Sequence, residues 1–96
     1  MFQKLEAVEQ RYEELTKKIS DPDVIARTSE WTQYMKEHAE IEEVVLKYKE
    51  YKKVKQSLVE AEELMKDQEM KELAEEEAKA DREKLPKLEE ELKVLL

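Results

Sequence analysis

The chain has no glycine and no cysteine, and two prolines in 96 residues. Zero glycine excludes phosphate-cradling loops, dinucleotide fingerprints and type I′ hairpins, which need positive φ or close backbone approach. Zero cysteine excludes a disulfide framework and a thiolate metal site, and fits an intracellular protein. No apolar run approaches the roughly 20 residues that span a bilayer. Met1 leads straight into an amphipathic, mixed-charge pattern, so no secretory leader is expected. Ser20, Ser29 and Ser57 have no base at recognisable spacing, and no turn suits an oxyanion hole.

Charged residues are abundant instead. They make up 46% of the chain, with a net charge of −8, which argues against nucleic-acid binding over the whole surface. Ala, Glu, Lys and Leu at helical spacing point to long helices, and the sustained apolar stripes argue against disorder. The length allows one small domain with a thin core.

The longest pattern runs from Ser29 to Lys66. Trp31, Tyr34, Ile41, Val44, Val45, Tyr48, Tyr51, Val54, Leu58, Ala61 and Met65 recur at three- and four-residue steps. A helix over that stretch would be roughly 57 Å long. Its stripe needs a partner. Before it, Phe2, Leu5, Val8, Tyr12, Leu15 and Ile19 predict a helix over 2–19. Ser20-Asp21-Pro22-Asp23 ends that helix, and Asp21 with Pro22 can open a helical turn through Val24, Ile25 and Ala26. Thr28 or Ser29 is the expected cap of the long helix. After it, Asp67 is the expected cap of a third helix over 68–96, whose seam is Met70, Ala74, Ala78, Leu85, Leu88, Leu92 and Leu95. Asp81 interrupts that seam, and Pro86 predicts a kink or a break.

The expected architecture is therefore all-α and a single helical domain, with helices about 2–19, 29–66 and 68–96. The short connection makes the second and third helices a long antiparallel, coiled-coil-like hairpin. The shorter N-terminal helix packs at the end far from the turn. Small residues face the turn end, and Leu and aromatic residues the other.

Few residues carry candidate chemistry. His38 is the only histidine, with Glu42 one turn on. No Glu-x-x-His pattern accompanies it, so a partly exposed helix histidine outweighs a metal or acid–base role. The runs Glu75–Glu77 and Glu89–Glu91 point in several directions and read as solvated faces. Lys47 to Lys55 is the one basic island, with five Lys against one Glu. Lys49, Lys52 and Lys53 group on the wheel. They are candidates for RNA phosphate, or for pairing with acidic residues of the third helix such as Glu83. The turn residues Lys66, Asp67, Gln68 and Glu69 are free of packing duty and are further contact candidates. From the residues alone the chain is a helical interaction or spacer module.

The order of several pieces carries more. Tyr12-Glu13-Glu14-Leu15, Ser20-Asp21-Pro22-Asp23-Val24 and Tyr48-Lys49-Glu50-Tyr51-Lys52 come first. Ala61-Glu62-Glu63-Leu64, Asp67-Gln68-Glu69-Met70 and Leu73-Ala74-Glu75-Glu76-Glu77 follow, and Leu88-Glu89-Glu90-Glu91-Leu92-Lys93-Val94-Leu95-Leu96 closes the chain. Together they resemble the N-terminal helical domain of the bacterial type-one peptide chain release factors, which act at UAA and UAG stop codons. Gln68 departs from the Pro of many relatives, and Pro86 is unusual in a seam helix. The resemblance implies a non-catalytic, cytoplasmic fragment of a longer factor, with no cofactor, no small-molecule substrate and no membrane partner. It implies docking on the ribosome at the large-subunit stalk base, against ribosomal protein L11 and rRNA. The family's Gly-Gly-Gln loop and Pro-x-Thr tripeptide are absent from these 96 residues. The alternative is a stand-alone antiparallel coiled-coil arm that binds tRNA or acts as a chaperone.

Overall fold

The computed structural model describes residues 1–96. The protein is all-α, with helices α1 (Phe2–Ile19), α2 (Pro22–Ala26), α3 (Thr28–Leu64) and α4 (Lys71–Leu95). No backbone φ is positive and no peptide bond is cis, so the connections manage without glycine. Contacts cluster into two compact units, Met1–Leu46 and Lys47–Leu96, whose boundary falls within α3.

The first unit holds α1, α2 and the start of α3. At the end of α1, the Ser20 amide bonds the Lys17 carbonyl, the Asp21 amide bonds the Lys18 carbonyl, and the Ser20 hydroxyl donates to the Thr16 carbonyl. Asp21 then caps α2 by accepting from the Asp23 amide at 2.9 Å, with Pro22 at the first helical position, where its missing N–H costs nothing. The helical turn expected at Val24–Ala26 is thus a short helix, and Val24 is its buried residue. Thr28 is the first residue of α3 and not its cap. The Trp31 amide bonds the Arg27 carbonyl at 3.0 Å.

Leu5, Leu15, Val44 and Val45 are the buried aliphatic residues of α1 and α3 in this unit. The paired residues of α1 and α3 run in opposite order. Arg11 meets Glu37, Tyr12 and Thr16 meet His38, Lys18 lies over Tyr34, and Trp31 reaches Ile19. Trp31 is half-buried, and its indole N–H donates to the Ile19 carbonyl at 3.1 Å, closing the last turn of α1.

The second unit holds the rest of α3, the turn and α4. Tyr48, Tyr51, Ala61, Ala74, Ala78, Leu88 and Leu92 are buried there. All eleven members of the predicted α3 stripe avoid the exposed class, whereas Leu46 and Val59, off the stripe, are exposed. Numbers rise along α3 as they fall along α4. Lys47 meets Glu91, Tyr51 donates to Glu89, Ser57 donates to Asp81 and Arg82 faces Glu62.

Two expectations for α4 differ. Residues 65–70 form turns, so α4 starts at Lys71 with Met70 at the cap position. Asp67 spends its side chain on the Glu69 amide inside the turn, so it does not cap α4, and Met70 leaves the seam for the surface. Pro86 does not break the helix. It sits on the exposed side of α4, as does Arg82, whose carbonyl loses its hydrogen-bond donor and can turn to water. Asp81, the apparent interruption, lies 5% exposed in the seam and is held there by the Ser57 hydroxyl at 2.6 Å.

Candidate functional site

The basic island on α3 separates into engaged and free lysines. Lys47 is 2.8 Å from Glu91 and 3.5 Å from Glu50, and its hydrogen bond to Glu91 is the main cause of its raised pKa. Lys52 lies 4.6 Å from the centre of the Tyr48 ring and Lys55 5.8 Å from that of Tyr51. Lys49 is half-buried and has a neighbour of its own. Tyr48 and Tyr51 are buried, so they are not platforms for stacking bases. Burial and the Glu89 bond raise the pKa of the Tyr51 hydroxyl. Of the three lysines expected to group, Lys53 alone is exposed with no partner.

The packing of α4 against this stretch adds two lysines that sequence reasoning missed. Lys84 and Lys87 join Lys47, Glu50, Leu88 and Glu91 around an open groove of 220 Å³. Both are exposed and without an acidic partner. Their i, i+3 spacing puts them on one side of α4. That spacing was legible, but its position opposite Lys47 depends on the register of α4 with α3. The groove presents two free ammonium groups beside a neutralised Lys47–Glu91 pair, a setting that suits one anionic oxygen at its edge.

The turn residues lie where expected, between the two helices. Lys66 pairs with Glu63 at 3.2 Å, Asp67 closes the turn on Glu69, and Gln68 and Glu69 are exposed. All four are exposed, and none of them lines the groove.

His38 is tied to α1. Its ring stacks on Tyr12 with centroids 4.1 Å apart, and Nε2 is 3.0 Å from Thr16 Oγ1. The Thr16 hydroxyl also donates to the Tyr12 carbonyl at 2.9 Å, so it ties His38 to α1. The ring therefore serves packing. No group of three His, Cys, Asp or Glu side chains is placed to hold a metal ion.

Against known families, residues 8–96 match the PCRF domain. The chain belongs to the PCRF domain family. Among curated relatives, it is 48% identical over 99 residues to peptide chain release factor 1 of Clostridium acetobutylicum, covering 100% of this chain and 28% of that protein. Peptide chain release factor 1 of Clostridioides difficile is 46% identical over 99 residues, with the same coverage. That of Thermoanaerobacter pseudethanolicus is 52% identical over 76 residues, 77% of this chain and 21% of the relative. The chain thus spans little more than a quarter of the length of the first two relatives, in their N-terminal region. No solved structure matches it. The PCRF match takes in the basic island, the groove and the turn, and leaves out only the first seven residues.

Proposed function

We propose that this PCRF domain is the non-catalytic, ribosome-docking part of a translation termination factor that acts at UAA and UAG codons. Similarity over the whole chain to the N-terminal region of proteins named peptide chain release factor 1 carries the reading. Docking at the large-subunit stalk base, on L11 and its rRNA, is the expected placement in the cytoplasm. The exposed Lys53, Lys84 and Lys87 are suited to rRNA phosphate, and the turn at Lys66–Glu69 to a protein neighbour. Codon reading and peptidyl-tRNA hydrolysis would belong to other domains, since these residues contain neither a Pro-x-Thr tripeptide nor a Gly-Gly-Gln loop. The 96 residues would act as one helical domain. The opposite order of the α3 and α4 partners supports a long antiparallel hairpin. The paired order of α1 and the start of α3 supports a shorter helix packed beside the other end.

The test uses the purified chain with bacterial 70S ribosomes halted at a UAA codon. It should cosediment with them, compete with a full-length type-one factor and release no peptide. Release of peptide by the chain alone, or no detectable binding to ribosomes, would overturn the reading.

A further inference from the structure

The seam of the second unit is built from two kinds of residue. Tyr48, Tyr51, Leu88 and Leu92 are its bulky buried residues, at the end away from the turn. Toward the turn the buried apolar residues are Ala61, Ala74 and Ala78. Small knobs fit small holes, and one alanine replaces another when two helices slide by a turn. Charge does not choose a register there either. Between residues 60 and 77 nine acidic residues stand against two lysines, Lys66 and Lys71, so both helices carry the same sign. The Arg82–Glu62 pair is 3.8 Å long with both side chains half exposed, and is worth little. The turn leaves the start of α4 free as well. Met70 makes no side-chain cap bond, and Asp67 is spent on the Glu69 amide.

Pro86 lies between the two kinds of seam. It deprives the Arg82 carbonyl of its donor, which loosens the helix at that point. The interlocking of Leu88 and Leu92 therefore carries only weakly to the residues before it.

Asp81 supplies what the alanines lack. Its carboxylate is 5% exposed in the seam, and the Ser57 hydroxyl donates to it at 2.6 Å. Ser57 is the one side chain that bonds it. A slide of one turn would set Asp81 against Val54 or Ala61, the seam residues a turn to either side of Ser57, and neither has a donor. A buried carboxylate without a partner costs far more than a mismatched alanine. One buried polar pair in an apolar seam thus selects a register, at some cost in stability. Lys84 is three residues beyond Asp81, on the same side of α4 and before Pro86. It lines the groove with Lys47 of α3 and with Lys87, which follows Pro86.

We infer that Asp81, held by Ser57, is a positioning residue that pins α4 to α3 on the turn side of Pro86 and so keeps Lys84 beside Lys47 and Lys87 at the groove. The pin is a matter of register. Its consequence for binding rests on the reading of the groove lysines as contacts for phosphate.

The chain has no cysteine, so Gln56→Cys with Glu72→Cys, both at exposed positions, places two nitroxide labels and no others. Double electron–electron resonance should give one narrow distance. Adding Ser57→Ala and Asp81→Ala together should preserve the helical circular dichroism and the thermal midpoint, since alanine favours helix and no buried charge is left behind. The distance should broaden, or split by about 5 Å, one helical turn. Asp81→Asn keeps an acceptor for the Ser57 hydroxyl and should retain the single narrow distance. An unchanged distance in the Ser57→Ala, Asp81→Ala variant overturns the inference, and so does a broadened one in Asp81→Asn. Loss of helical signal in the double variant also overturns it, because the pair would then serve folding and not register. In cosedimentation with 70S ribosomes, the unlabelled double variant should lose affinity as far as Lys84→Ala does, roughly fivefold. A broadened distance with unchanged affinity keeps the pin and overturns the phosphate reading of the groove. No binding by the parent overturns ribosome docking, and the distances still decide the pin.

Discussion

Arg11 donates to both carboxylate oxygens of Glu37, at 2.6 and 2.8 Å. That hydrogen bonding, with the charge of Arg11, holds the Glu37 carboxyl below its ordinary pKa of 4.5. A lowered pKa in the folded state means the pair stabilises the fold above the unfolded value. The contribution is lost as pH falls through the folded one. Both side chains are more than a third exposed, so solvent screening limits the effect to about 1 kcal/mol or less. The thermal midpoint of the parent should therefore fall more steeply than that of Glu37→Gln as pH is lowered from about 5 to about 3. Parallel curves would show that the pair adds nothing. Trp31 tests a different residue-scale term. Trp31→Phe keeps most of the ring but leaves the Ile19 carbonyl without its donor, at a cost of about 1 kcal/mol. Trp31→Ala should cost about 2–3 kcal/mol, below the usual range for a fully buried tryptophan because this one is half-buried. Urea midpoints of the two variants that coincide would mean the indole ring contributes little beyond its hydrogen bond.

At the scale of elements, α4 is the instructive case. Proline in a helix interior normally costs about 3 kcal/mol, yet α4 runs unbroken from Lys71 to Leu95. Leu88 and Leu92, both buried just beyond Pro86, hold the downstream turns in place. The penalty remains even though the helix persists. Pro86→Ala should restore the amide donor to the Arg82 carbonyl and raise stability by about 1–2 kcal/mol, after the loss of proline's stiffening of the unfolded chain. An unchanged or lower thermal midpoint would mean that Pro86 makes a native contact worth as much as the missing bond. The turn before α4 shows the limit of cap signals. Asp67 has the right side chain and the right neighbourhood, but it bonds the amide two residues on and the helix waits until Lys71. A carboxylate beside several candidate amides can serve a turn or a cap, and sequence spacing alone does not decide between them.

For the molecule as a whole, the excess of negative charge is the dominant long-range term, and most of it is confined to residues 60–77. Self-repulsion of that kind is screened by salt. The Debye length shrinks from about 30 Å at 0.01 M to about 8 Å at 0.15 M. The thermal midpoint should rise by a few degrees over that range, because the ion pairs that salt weakens, Arg11–Glu37 and Lys47–Glu91 among them, are partly exposed and each worth little. A fall would mean that those pairs outweigh the repulsion. The same imbalance bears on function, since a uniformly acidic chain would have no place for RNA. Among the exposed lysines without an acidic partner, Lys53 on α3 and Lys84 and Lys87 on α4 lie away from the acidic turn end in the sequence.

The sequence by itself determined that the chain is helical, which faces are buried and where the first helix ends. These depend on local physics: apolar spacing at the helical period, the absence of glycine, and Asp21 with Pro22 after Ser20. The order of short motifs likewise pointed to the release-factor family that the PCRF match identifies. Only the tertiary structure decided the roles of individual polar residues. Asp81 reads as a flaw in an apolar seam until Ser57 is brought to 2.6 Å from it. Lys49 and Lys52 read as free cations until a neighbour and the Tyr48 ring engage them. Lys84 and Lys87 read as ordinary surface lysines until they line a groove with Lys47. An apolar face, like the Lys52–Tyr48 contact, follows from residues a turn apart on one helix, whereas the partners of Asp81 and Lys47 lie 24 and 44 positions away and depend on the register between two helices.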